Sequence, residues 1–183
     1  MSLFGDGLDA AVQKAFTRPA PKSAPAQMLV KQLKSTKAVA QMLRISQRTV
    51  ERYVKDQIKK PRPDLATRLE REVKKRWQPQ IRAKARQKAA TTGGIVIDTQ
   101  ARIGYIAPIG STDEDRLRHL TVALPPQYAS RLFEAQEQGA NDQRLQEIAA
   151  EGLKEVYFQD NGRRAGQLEE VRFTDIQHLE FEL

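Results

Sequence analysis

The sequence predicts a mainly α-helical protein whose C-terminal half is an α+β domain. Apolar residues recur at the spacing of amphipathic helices through most of residues 1–92, whereas residues 116–124 alternate in the manner of a strand. The charge changes along the chain as well: residues 1–92 hold 22 Lys and Arg against 7 Asp and Glu, and residues 93–183 hold 9 against 16. The basic half suits a polyanion, and the acidic half suits a protein partner. We therefore expect two domains with different partners.

Composition narrows the classes of protein to which the chain can belong. It has 183 residues, 39% of them hydrophobic, and no cysteine, so it can bury a core but has no disulfide framework. No apolar run approaches the ~20 residues of a membrane span, and the N-terminal ten residues lack the pattern of a signal peptide. We expect a soluble, cytoplasmic protein.

Residues 36–55 predict two short helices joined by a tight turn. Their apolar faces are Val39, Ala40 and Leu43 in the first helix and Val50, Tyr53 and Val54 in the second. Ser46 stands where its hydroxyl can cap the second helix. This is the spacing of a helix-turn-helix motif, although Arg44 occupies the turn position usually given to glycine and must take a positive φ or a different turn.

The outward residues of the second helix are candidates for contact with DNA. In a helix-turn-helix the second helix enters the major groove, where Gln can pair with adenine and Arg with guanine, while Lys and Thr can hold phosphates. The candidates are Gln47, Arg48, Thr49, Arg52 and Lys55. A two-helix corner without any DNA-binding role has the same apolar pattern, so both interpretations stay open.

The segments before this motif predict an N-terminal arm and a linker. An apolar stripe over residues 8–16 predicts an amphipathic helix capped by Asp6, and the prolines of residues 19–25 favour extended backbone. These segments make up residues 1–25. A helix over residues 26–33 then opens a helix-turn-helix DNA-binding domain that we expect to extend to residue 92.

Basic helices are predicted on the C-terminal side of the motif. Asp64 is a good cap for a helix over residues 65–77, and a further helix is expected over residues 80–90 after Pro79. A run of basic residues often only forms a solvent-exposed helix face. Because this run directly follows a predicted helix-turn-helix, it could also contact DNA phosphates. The candidates for phosphate contact are Lys74, Lys75, Arg76, Arg82, Lys84 and Arg86. If about six phosphates are neutralised, log K should fall against log salt with a slope near −5, at ~0.9 per contact.

The acidic half, residues 93–183, begins after Thr91-Thr92-Gly93-Gly94. Short β runs at residues 95–97 and 102–106 predict a hairpin, and two further runs at residues 169–173 and 176–181 predict a second hairpin or a protein-docking edge. Residues 108–115 read as an exposed acidic loop. Ser111 and Glu114 in this loop fit a capping box, so the adjacent carboxylates of residues 113–115 are expected at a helix start.

Residues 117–158 resemble the ribbon-helix-helix family in the order of their elements. A strand ends at the Leu124-Pro125 junction, and two helices follow, the second with an apolar face that runs to Tyr157. The family pairs its single strands between two copies because a lone strand leaves its backbone groups unpaired, so a homodimer is implied. The DNA-facing strand positions would be His119, Thr121 and Ala123, a poor set for reading DNA. We therefore interpret this unit as a dimerisation module.

The usual catalytic constellations are missing from the sequence. There is no cysteine, His119 and His178 lack metal-ligand spacing, and no P-loop or dinucleotide fingerprint is found. We expect no metal site, no cofactor bound by this chain and no autonomous enzymatic activity.

Four segments give a resemblance that covers nearly the whole chain. They are QRTVERYVKDQIKKPRPDLA at residues 47–66, VKKRWQPQIRAKARQKAATTGGIVIDT at 73–99, IGSTDEDR at 109–116, and the ending VRFTDIQHLEFEL. In these segments the sequence resembles the terminal proteins that are attached covalently to the 5′ ends of linear Streptomyces chromosomes and plasmids.

The resemblance implies a telomere terminal protein that serves as a protein primer. In that family the linking residue is the threonine of the GSTDEDR segment, here Thr112, whose hydroxyl replaces the 3′-OH of a nucleic-acid primer. Divalent metal would be supplied by the partner polymerase. The implied partners are telomeric DNA, a DNA polymerase and a telomere-associated protein, at the nucleoid and chromosome ends. Ser111 and Tyr105 are competing acceptors, and a dimeric transcriptional regulator or a recombinase are the rival functions.

Overall fold

A computed structural model of the protein describes residues 2–18, 20, 24–106, 113–163 and 168–183, without the side chains of Asp113 and Glu114. Within these residues the chain forms eight α-helices and three strands, in the order α1 Leu3–Lys14, α2 Pro25–Leu33, α3 Thr36–Leu43, α4 Gln47–Val54, α5 Pro63–Arg76, α6 Pro79–Lys88, β1 Ile95–Ile106, β2 Asp113–Leu124, α7 Pro126–Glu137, α8 Asp142–Leu153 and β3 Glu170–Glu182. Short π-helical turns follow α6 and α8. The predicted acceptors Ser111 and Thr112 lie outside the described residues.

The chain divides into two compact units, and their boundaries differ from the predicted ones. One unit is Thr17–Pro79, which we call the basic unit because it holds 17 Lys and Arg against 5 Asp and Glu. The other, which we call the sheet unit, joins Met1–Phe16 to Gln80–Leu183 and holds 14 against 18. This division differs from the domain boundaries predicted at residues 25 and 92. Both α1 and α6 pack with the acidic half instead.

The basic unit is a helical core built from α2 to α5. Apolar residues at helical spacing on all four helices meet inside it, with Leu29, Val39 and Val50 fully buried. Two side chains hold the helix ends together: Gln27 donates to the Val54 carbonyl at 3.1 Å, and Arg68 donates to the Leu43 carbonyl at 2.6 Å. The helix expected at residues 26–33, the two helices expected within residues 36–55 and the helix expected at residues 65–77 are all present, with α5 starting slightly earlier than predicted.

The sheet unit contains one antiparallel three-stranded sheet in the order β2-β1-β3. Residues 95–106 form a single continuous strand, so the hairpin predicted within them is wrong; β1 instead pairs with β2, with Ile95 opposite Leu124. Residues 170–182 likewise form one strand along the other side of β1, with two register shifts, rather than a hairpin of their own. The segments between the predicted β runs are therefore strand and not turn. Pairing of β1 with β2 and with β3 satisfies the backbone N–H and C=O groups of these segments.

Helices α1, α7 and α8 pack with the strands around the core of the sheet unit. Phe4 and Leu8 of α1 are buried there, so α1 is part of the fold and not an arm. Its cap is Ser2 rather than Asp6, and the Asp142 carboxylate accepts hydrogen bonds from the backbone N–H groups of Leu3 and Phe4 at 2.9 Å each. At its other end the Lys14 ammonium contacts two carboxylates of β3.

The predicted strand and two helices of residues 117–158 are present, but β2 is not a lone strand. It pairs with β1 of the same chain, which removes the reason for expecting it to pair with a second copy. Its alternation is as predicted, with Leu120, Val122 and Leu124 buried and the intervening residues exposed. Asp113 begins β2, so the helix start expected at residues 113–115 is wrong. The homodimer stays a prediction.

Candidate nucleic-acid interface

Helices α3 and α4 begin with serine caps and are joined by a three-residue turn. Ser35 accepts from the Ala38 N–H at 3.1 Å, and Ser46 accepts from the Thr49 N–H at 3.2 Å, which satisfies one orphan donor at each helix start. Arg44 takes a φ of 55°, a left-handed conformation and one of the two outcomes expected at its position in the turn. The turn closes with the Ile45 N–H donating to the Ala40 carbonyl at 3.0 Å.

A basic stripe on α4 is formed by Arg48, Arg52 and Lys55. These residues are four and three positions apart, so they share one face of the helix, and Val50 on another face is buried in the core. All three are exposed, and none forms a salt bridge with any residue that the structure describes. Three uncompensated cations on one helix face create a positive potential that favours a polyanion.

The other two predicted contacts on α4 have internal partners. The Gln47 amide donates to the Thr36 hydroxyl at 3.1 Å and to the Glu51 carboxylate at 3.0 Å. The Thr49 hydroxyl lies 2.8 Å from the Ser46 hydroxyl. To contact a base, the Gln47 amide would have to break both of these hydrogen bonds. In this structure the side chains of Gln47 and Thr49 therefore stabilise the start of α4.

The predicted phosphate contacts on α5 are partly neutralised. The Lys74 ammonium lies 2.7 Å from a Glu70 carboxylate oxygen, and Arg76 pairs with Glu72 one turn earlier. Lys75 is exposed on the same turn. Pairs between residues four apart on an exposed helix contribute only about 0.3–0.5 kcal/mol, so a phosphate could displace the half-buried Lys74 from Glu70.

Two of the predicted phosphate contacts on α6 have carboxylate partners within the sheet unit. Arg82 is only 8% exposed and donates to the Asp9 carboxylate of α1 at 2.9 Å. Arg86 lies 3.7 Å from the same carboxylate and donates to Glu137 of α7 at 2.7 Å, with its guanidinium over the Phe133 ring. These two arginines therefore hold α6 within the sheet unit, and their contact with phosphate stays a prediction. Lys84 is exposed and forms no salt bridge within the described part of the chain.

One candidate cation was missed by reading the sequence. Lys37 is exposed and follows Thr36, whose hydroxyl binds Gln47, so the start of α3 lies beside the start of α4. A helix N-terminus favours anions, and a lysine on its first turn strengthens that preference. In the sequence, Lys37 could have been identified as a candidate because it follows a capping serine within residues 35–37.

The described residues were also compared with the requirements of a metal site and of a membrane span. Among the described residues, no group of three or more His, Asp and Glu side chains could hold a metal ion. No helix in the same part of the chain is long and apolar enough to cross a bilayer.

Comparison of the chain with protein-family models, with curated proteins and with solved structures found no match.

Proposed function

We propose that this protein binds DNA through a helix-turn-helix formed by α3 and α4, and that it serves as a telomere terminal protein that primes DNA synthesis. The observation that carries DNA binding is the exposed basic stripe of Arg48, Arg52 and Lys55 on the second helix of the pair. The buried face of α4 packs in the core, which leaves the stripe free to enter a major groove. The excess of 17 basic over 5 acidic residues in the basic unit supports the same partner.

The priming role rests on the resemblance of the sequence and on the chemistry of Thr112. The hydroxyl oxygen of Thr112 would attack the α-phosphorus of a deoxynucleoside triphosphate, forming a phosphodiester between protein and nucleotide. The bond from the α-phosphorus to the oxygen bridging to the β-phosphate would break, and pyrophosphate would leave with the electron pair. The hydroxyl proton would pass to a base or water in the polymerase site. This chain is then a nucleotide acceptor, while the polymerase and its divalent metal ions catalyse the transfer.

The partners follow from this role. Telomeric DNA would bind the basic unit, and a DNA polymerase and a telomere-associated protein would bind the acidic sheet unit, with the protein at chromosome ends in the nucleoid. A homodimer belongs to the same proposal.

The direct test is the mass of the protein purified from its native host after exhaustive nuclease digestion. Tandem mass spectrometry across residues 103–116 should find a nucleotide remnant on Thr112. Purified Thr112→Ala should bind duplex DNA normally and accept no nucleotide from the polymerase, whereas Ser111→Ala should accept it. Nucleotide attached to Thr112→Ala at the wild-type level would refute the assignment.

A dimeric transcriptional regulator is the second candidate, because the stripe on α4 would serve it equally well. It predicts DNA binding with no covalent nucleotide. A bare peptide over residues 103–116, obtained from protein shown to be bound at DNA ends, would favour this candidate over priming.

A further inference from the structure

Three aromatic rings and one guanidinium group meet beside the sheet, between Tyr105 near the end of β1 and Arg118 in the middle of β2. The Tyr105 and Phe158 ring centroids are 5.8 Å apart, and those of Phe158 and Tyr157 are 5.0 Å apart, both edge-to-face. The Arg118 guanidinium lies over the Phe158 ring, 5.5 Å from its centroid. We call these four side chains the aromatic platform.

The exposure of Tyr157 is unusual for a tyrosine in the sheet unit. Its side chain lies at the surface with 44% exposure, whereas Tyr128 is 5% exposed. Tyr157 stands on the π-helical turn Lys154–Phe158, which is closed by the Gln159 N–H donating to the Lys154 carbonyl at 2.8 Å. The wider turn takes residue 157 away from the apolar face that α8 would have continued, so it lies outside the core. Such π turns occur frequently at functional sites.

The described charged groups around this segment are Arg118, Lys154 and Arg163 against Glu155 and Asp160, a small excess of positive charge that suits an anionic ligand. Arg118 is held in place, since its Nε donates to the Ile103 carbonyl at 3.3 Å. The Lys154 ammonium is bound to a backbone carbonyl, and exposed Arg163 forms no salt bridge with a described residue. The Glu155 carboxylate accepts a hydrogen bond from the Tyr128 hydroxyl and is therefore engaged within the fold.

We propose that the aromatic platform is a second nucleic-acid site, which stacks unpaired bases of single-stranded DNA on Tyr157. Proteins hold unpaired bases on the faces of Tyr and Phe beside Arg, because every base has a π-face, whereas the bases of a duplex are already stacked. A protein partner would need a broader apolar surface. The exposed Leu117 does not extend the platform, since it alternates with Arg118 and so lies on the opposite face of β2.

This inference rests on the proposed function in one respect, namely where the single-stranded DNA comes from. Asp113 pairs with Tyr105 of the platform, and Thr112 is the residue before Asp113 in the chain, so the strand that begins with the nucleotide on Thr112 is the one proposed to reach Tyr157. The site itself consists only of described residues and binds single strands whether or not Thr112 accepts a nucleotide.

The test measures where a single strand contacts the full-length protein. A short oligothymidine carrying one 5-iodouracil is crosslinked by ultraviolet light to the variant Arg48→Ala, Arg52→Ala, Lys55→Ala, in which the stripe on α4 is neutralised. The crosslink should be found on the tryptic peptide of residues 155–163. Adding Tyr157→Ala should raise the Kd of the oligonucleotide about tenfold, as expected for the loss of one stacked base.

Two matched variants complete the test. Tyr157→Phe keeps the ring and should leave the Kd of the oligonucleotide unchanged. Leu117→Ala removes an apolar side chain that is about as exposed as Tyr157 and should also leave this Kd unchanged. Crosslinks confined to residues 17–79, or a Tyr157→Ala protein with unchanged Kd, would overturn the proposal and leave the platform as a contact for protein. Failure of priming would appear separately, as the absence of nucleotide on Thr112.

Discussion

Helices α4 and α6 are both rich in basic residues, yet the structure uses their charges in opposite ways. On α4, Arg48, Arg52 and Lys55 face solvent without a salt bridge among the described residues. On α6, Arg82 and Arg86 share the Asp9 carboxylate, and Arg86 also binds Glu137. The difference lies in the acidic residues that distant parts of the chain bring to each helix. A count of positive charges in a sequence therefore does not tell how many are available to a ligand.

Removing the carboxylate that neutralises α6 should give the largest effect. In Asp9→Ala the Arg82 guanidinium stays buried without its partner, and the free energy of unfolding should fall by about 3–5 kcal/mol. Urea denaturation would measure this loss. Asp6→Ala, an exposed carboxylate of the same helix, should change stability by less than about 0.5 kcal/mol. Equal stability of the two variants would show that Asp9 does not fix α6.

Neutralising the stripe on α4 should weaken DNA binding without loss of stability. The variant Arg48→Ala, Arg52→Ala, Lys55→Ala should lower duplex affinity on the order of 100-fold and reduce the slope of log K against log salt by about 3. Fluorescence anisotropy at several salt concentrations gives both quantities. Lys84→Ala on α6 is the comparison, and a slope change of about 1 for it would show that α6 also contacts phosphate.

Another internal contact of the sheet unit is the hydrogen bond from the Tyr128 hydroxyl to Glu155, and its contribution to stability can be measured by changing the pH. Burial, and then its hydrogen bond to Glu155, raise the pKa of Tyr128 from 10.0 to about 12. The unfolded chain therefore releases this proton at lower pH than the folded chain. The stabilisation is complete below pH 10.0 and is lost as the pH rises toward 12.

Urea midpoints between pH 9 and 12 would measure this dependence. The wild-type midpoint should fall more steeply than that of Tyr128→Phe, which has no phenolic proton at this position. Parallel curves for the two proteins would contradict the role assigned to the hydroxyl.

The smallest effect is expected in the turn that orients α4. Arg44 has a φ of 55°, so Arg44→Gly should relieve backbone strain and stabilise the basic unit by about 0.5–1 kcal/mol. Arg44→Ala removes the same side chain and keeps the strain, so the difference in melting temperature between the two variants isolates the backbone. A melting temperature for Arg44→Gly below that of Arg44→Ala would mean that the turn is unstrained.

The sequence by itself determined the elements whose signals are local. Apolar spacing placed α2 to α5, and Ser46 marked the start of α4. For Arg44 the sequence left a positive φ or a different turn open, and the structure has the positive φ. The stripe of Arg48, Arg52 and Lys55 could also be predicted, because helical spacing alone decides which residues share a face. Thr112 was singled out only by the resemblance, and it lies outside the described residues.

Tertiary structure decided everything that depends on a partner far along the chain. Only the fold brings Asp9 to Arg82 across 73 residues, pairs β2 with β1 of the same chain, and joins residues 170–182 into one strand along β1. Only the fold also shows that α1 belongs with the acidic half and that Tyr157 lies at the surface. The physical reason is that burial and charge pairing are properties of the assembled chain, which a pattern read over a few neighbouring residues does not contain.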